Sequence, residues 1–111
     1  MAMNQLARRA AELVRARIET QCPGELLEAR VYGSMARGDA HDESDLDLLL
    51  ITRNEDRAVR DAIFAITSQV EFELGFPFAI SPCIVSEGRM RDLREREALF
   101  AFEIERDGIV V

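Results

Sequence analysis

Lysine is absent from this 111-residue chain, and all fourteen basic residues are arginine. That excludes a lysine nucleophile and a phosphate-binding lysine within the chain. Histidine is limited to His41, and the two cysteines, Cys22 and Cys83, lie far apart with no CxxC spacing. They have too few companions to hold a metal, and read as two small buried thiols suited to a reducing compartment. No apolar run approaches the length of a bilayer span. Arg8, Arg9, Glu12, Arg15 and Arg17 leave the early residues without the apolar centre of a signal peptide, so the expected location is the cytoplasm. Base is also in deficit: 21 acidic residues face 14 basic ones, for a net charge of −7. Such a surface repels a phosphate backbone, so long nucleic acid is not an expected partner.

What is present is a chain that is 48% hydrophobic. At this length it is expected to form one domain over residues 1–111, burying about two thirds of its unfolded surface. Leu6, Ala10, Leu13, Val14 and Ile18 recur at three- and four-residue steps and predict a helix from about Asn4 to Ile18, broken by Pro23 and Gly24. Leu26 to Tyr32 reads as a strand ending at Gly33, and Asp45 to Ile51 as a second. Asp56 is placed to cap a helix with the stripe Val59, Ala62, Ile63, Ile66, Val70 and Leu74, closed by Gly75 and Pro77. Phe78 to Val85 predicts a third strand, which Pro82 assigns to an edge or a bulge. A turn capped by Ser86, one helix from about Leu93 to Arg106 and a terminal strand from Ile109 to Val111 complete the chain. The order describes an α/β fold, a small mixed sheet with helices packed on it. The helix-borne arginines Arg89, Arg91, Arg94 and Arg96, set among acids, read as a salt-bridged solvated face, and some of Phe72, Phe76, Phe78, Phe100 and Phe102 as a partner surface.

The chemistry concentrates in the stretch VYGSMARGDAHDESDLDLLLI, residues 31–51. Asp39, Asp42 and Glu43 suit a solvated turn, but Asp47 lies between Leu46 and Leu48 in an otherwise aliphatic strand. A buried carboxylate there is costly unless something positive meets it. Alternation puts Leu46, Leu48 and Leu50 on one face and Asp45, Asp47, Leu49 and Ile51 on the other. Two carboxylates about 5 to 7 Å apart on one face can share a divalent ion, and hard oxygen ligands favour magnesium or manganese. Gly33 and Ser34 end the preceding strand, where a glycine lets backbone N–H groups approach an anion and a serine adds a hydroxyl donor. A Walker A loop is excluded, because Asp39 follows Gly38 where that motif needs lysine. An EF-hand starting at Asp39 fails at His41, Glu43 and Ser44.

Gly33-Ser34-Met35-Ala36-Arg37-Gly38 followed by Ser44-Asp45-Leu46-Asp47-Leu48-Leu49 resembles the signature of minimal nucleotidyltransferases (MNT domains) of the DNA polymerase β superfamily. The resemblance implies that fold over most of the chain, with ATP as substrate and Mg2+ (or Mn2+) held by Asp45 and Asp47 as catalytic, metal-binding residues. It implies triphosphate contacts at Gly33 and Ser34. Arg37 and Ser44 are grouped with the nucleotide-binding residues, Arg37 shaping the turn with Gly38. The implied reaction moves a nucleotide, AMP from ATP, to a hydroxyl of a partner protein. The implied setting is a toxin–antitoxin pair in which an MNT antitoxin modifies or binds a HEPN-domain ribonuclease toxin. Oligomerisation is left open. Active family members carry a third carboxylate on a later strand, and Phe78 to Val85 contains none. A weakened site that neutralises its partner by contact alone is therefore the alternative.

Overall fold

Asn4 opens the first helix by accepting hydrogen bonds from the backbone N–H groups of Leu6 and Ala7, which would otherwise be orphaned. The computed structural model describes residues 3–38 and 45–111, and all structural statements concern those residues. Helix α1 runs Gln5–Gln21, three residues beyond the expected end, and strand β1 runs Leu26–Tyr32. Gly33 leads into a one-turn helix α2, Ser34–Arg37, where the sequence suggested only a turn. Strand β2 is Leu46–Thr52, so Asp45 stands just outside the ladder. Helix α3, Arg57–Glu73, is capped by Asp56, which accepts from the Val59 N–H at 3.0 Å. Strand β3 is Ile80–Ser86, helix α4 Glu87–Glu95, helix α5 Leu99–Asp107 and strand β4 Ile109–Val110.

The expected final helix is thus two. Arg96 ends α4, Glu97 takes φ +53°, and the Ala98 N–H returns to Leu93 O at 3.0 Å. A left-handed residue is far more comfortable as glycine, and a glutamate there gives no sequence signal of a break. The reversal lets Ala101 and Ile104 of α5 join Met90 of α4 on the sheet.

The four strands are ordered β3-β2-β1-β4. β1 is antiparallel to β2 and β4, while β2 and β3 are parallel and use α3 as their crossover. Pro82 faces Leu48 from the edge strand β3, where its missing N–H leaves no central ladder unpaired. Leu46, Leu48 and Leu50 pack with Ala29 and Val31 against α1 and α3. Leu49, Ile51 and Val85 pack against α4 and α5, with Tyr32, Cys83 and Leu93 beside them. Both sheet faces are therefore covered, as a run of consecutive aliphatics in β2 requires. Phe78 packs on the first cluster and Phe100 against Tyr32, while Phe72, Phe76 and Phe102 stand exposed. The arginines of α4 find partners beyond their own helix, Arg89 with Glu55 and Arg94 with Glu105, besides Arg96 with Asp92.

Candidate functional site

β1 and β2 are antiparallel and register Tyr32 opposite Asp47, so the residue after Tyr32 falls beside the same carboxylate. That residue is Gly33, with φ +73° and ψ −154°, a conformation that is essentially glycine-only. A Cβ placed on it would lie 2.5 Å from Asp47 Oδ2, closer than side-chain carbons ever come. The absence of a side chain is thus what lets the strand end and the carboxylate meet. Met35 and Ala36 are buried in the first cluster and anchor α2, and the Gly38 N–H closes its turn onto Ser34 O.

Asp47 lies on the α4–α5 face of the sheet, between Tyr32 on β1 and Ser81 on β3. Burial pushes its carboxyl above the ordinary value, the Asp45 charge pushes it further, and Arg37 pulls the other way. Among the groups acting on Asp47, Arg37 is the one that supplies positive charge. Burial also raises the Tyr32 phenol, helped by the neighbouring Cys83 and by Asp47. The Tyr32 ring meets Phe100 of α5 edge-on, with centroids 6.1 Å apart and planes at 84°.

A cavity of about 390 Å³ is lined by Tyr32, Gly33, Arg37, Phe100, Glu103, Ile104, Arg106 and Asp107. Asp107 is drawn below the ordinary carboxyl value first by its hydrogen bond from Arg106 and also by the Arg37 charge. Arg37 therefore acts on Asp47 at one side and Asp107 at the other.

Of the residues singled out in the sequence, Gly33, Arg37 and Asp47 converge, Ser34 begins α2, and Asp45 is exposed immediately before β2 within charge range of Asp47. Ser44 lies outside the described residues, as do Asp39, His41, Asp42 and Glu43. Among the described residues no group of three or more His, Cys, Asp or Glu is placed to hold a metal. On β3 the position opposite Asp47 is Ser81, and the next on that face is Cys83. The lining contributed by α5, Phe100, Glu103, Arg106 and Asp107, was not read from the sequence; a single long helix would have hidden which of its residues turn back toward β1.

Residues 12–105 match the family model for a nucleotidyltransferase domain. A solved structure provisionally described as a minimal nucleotidyltransferase is 27% identical and superposes with TM-score 0.60, covering 100% of this chain and 97% of its own. A toxin–antitoxin structure with AMP-PNP shares the fold at 15% identity and TM-score 0.53, covering 87% of this chain and 68% of the other. A structure of the MntA–HpeT toxin–antitoxin pair does so at 16% and 0.52, covering 88% and 68%. No curated protein matches the chain. No helix among the described residues is long and apolar enough to cross a membrane.

Proposed function

We propose that the chain, which belongs to the nucleotidyltransferase domain family, forms one domain over residues 1–111 that binds ATP at the Gly33–Asp47 corner and transfers AMP to a hydroxyl of a partner protein. The observation that carries this reading is the approach of Gly33 to Asp47, where an added Cβ would sit 2.5 Å from the carboxylate oxygen. The β1–β2 register brings a phosphate-accepting turn and an acidic strand together, and a nucleotide with its cation needs both at one point.

The donor set fits a divalent ion of the magnesium or manganese kind. Asp45 and Asp47 offer hard oxygens, and burial together with mutual repulsion leaves Asp47 short of positive charge even with Arg37 near. Two carboxylates suit an ion that keeps waters or phosphate oxygens as its remaining ligands. Bound there, the ion would neutralise phosphate charge and polarise the α-phosphorus. The chain's own part is positional. Gly33 exposes backbone to the phosphates, the Ser34 hydroxyl donates to a phosphate oxygen, and Arg37 moves its charge between Asp47 and the incoming anion. Ser44, by its place in the motif, is assigned to the same phosphate contacts. Tyr32 screens the corner from water on one side.

The neighbours point to a toxin as the partner, a toxin–antitoxin assembly being what two of the similar folds belong to. We assign it, by the motif resemblance, to the HEPN class, and the pair to the cytoplasm. A specific observation favours a second reading, an antitoxin acting by contact: Ser81 stands where β3 would present a third carboxylate beside Asp47. Incubation with radiolabelled ATP, magnesium and the product of the adjacent gene separates the two. Label on the neighbour that disappears with Asp45→Asn supports transfer. Suppression of the neighbour by wild type and Asp45→Asn alike, without label, supports contact.

A further inference from the structure

The proposed phosphate corner leaves the 390 Å³ cavity beside it without a task. We infer that this cavity, between the end of β1 and helix α5, takes the base and ribose of the nucleotide, and that Phe100 and Glu103 make it favour adenine over uracil. The inference rests on the reading of the Gly33–Asp47 corner as the phosphate site.

Three observations carry it. The first is charge. The lining holds two arginines, Arg37 and Arg106, and two acids, Glu103 and Asp107, with no formal net charge. A triphosphate collects cations and donors; a balanced lining suits the uncharged part of the molecule. The second is shape and surface. The volume lies at the small end of ligand pockets, about 300 to 1,000 Å³, and the lining carries two aromatic rings, with Phe100 fixed by its T-shaped contact with Tyr32 and still partly exposed. A base stacked on such a ring needs no other anchor. The third is continuity. Gly33 and Arg37 belong both to the cavity lining and to the corner, so one ligand can have its phosphates at Asp47 and its base under α5.

Selectivity follows from the acceptors. Asp107 is engaged by Arg106, which donates to it through Nε and a terminal nitrogen at 3.1 and 2.9 Å. Glu103 is the carboxylate left to accept from an exocyclic amine, which adenine offers at the edge where uracil presents a carbonyl. A purine also covers more of Phe100 than a pyrimidine does.

Calorimetry at fixed magnesium with ATP, UTP and inorganic tripolyphosphate tests the inference separately from the reading beneath it. Wild type should bind ATP more tightly than UTP. Phe100→Ala should weaken ATP about tenfold, the effect of losing one stacked base, and leave tripolyphosphate unchanged. Glu103→Gln, an exposed and shape-conserving change that keeps the fold, should narrow or reverse the preference for ATP over UTP, because the new amide donates to a carbonyl. Wild-type ATP binding that both variants reproduce, with the ATP-to-UTP ratio unmoved, overturns the inference and leaves the corner intact. Failure of wild type to bind either ATP or tripolyphosphate overturns the corner, and the inference falls with it.

Discussion

Replacing Gly33 by alanine separates two effects that the structure lays on one residue. The backbone at φ +73° and ψ −154° is strained for any L residue by about 1 to 3 kcal/mol. The new Cβ also starts 2.5 Å from Asp47 Oδ2, the far end of a short side chain that can swing away. Relief therefore comes from displacing the carboxylate, and the site is damaged more than the fold. Gly75 provides the control. It shares the positive φ, +78°, but a Cβ there meets nothing within 4 Å. In thermal melts Gly33→Ala should lower Tm by about 4 to 12 °C, at about 4 °C per kcal/mol for a domain of this size. Gly75→Ala should fall at the small end of that range. Magnesium-dependent ATP binding should vanish in Gly33→Ala and persist in Gly75→Ala. In an Asp47→Ala background the clash has no partner, so the two substitutions should cost about 0.5 kcal/mol or more less together than separately. Wild-type ATP binding by a folded Gly33→Ala protein, or strict additivity with Asp47→Ala, would refute the claim that the close approach matters.

Other substitutions report on the surroundings. Asp47 is raised in the fold, so its contribution to stability is present below the ordinary carboxyl value of 3.8 and is lost as pH rises past it. In chelator, Asp47→Asn should accordingly gain in urea midpoint over wild type at pH 7 and gain less at pH 4. Leu48 is fully buried on the central strand β2, and Leu48→Ala should cost about 2 to 5 kcal/mol in urea unfolding without preference for any ligand. Tyr32→Ala removes the ring that meets Phe100 edge to face and packs beside Leu49 and Ile51, and should cost about 2 to 5 kcal/mol by the same measurement. Burial pushes the Cys83 thiol up, so its reaction with a disulfide reagent at pH 8 should be slower than that of a model peptide thiol, and should accelerate in urea.

The motif-bearing part of the fold was legible because each signal there is local. Alternation in residues 45–51 put Asp47 on the face opposite Leu46, Leu48 and Leu50, and the two faces do pack into different clusters. Pro82 marked an edge strand or a bulge because a missing donor is a property of one residue, and the edge is what the strand order shows. The break at Glu97 escaped detection because it is a tertiary compromise: the helix reverses so that Ala101 and Ile104 can cover the sheet, and neither composition nor periodicity carries that demand. The same break hid the cavity lining, since Phe100, Glu103 and Asp107 acquire neighbours only when α5 folds back onto β1. Asp45 was placed in the strand by its aliphatic company and lies one residue before it. Arg37 was named from the motif as a turn and nucleotide-binding residue, and its charge effect on Asp47 follows from the one-turn helix that carries it after Gly33.

The central claim is that a nucleotide and its divalent ion meet at the Gly33–Asp47 corner. Calorimetric titration of ATP into wild type and Asp47→Asn, each with magnesium and then with chelator, and with circular dichroism confirming that both are folded, tests it most directly. The account predicts magnesium-dependent binding by the wild type that Asp47→Asn loses. Equal binding by the two proteins, or binding indifferent to the chelator, would contradict it.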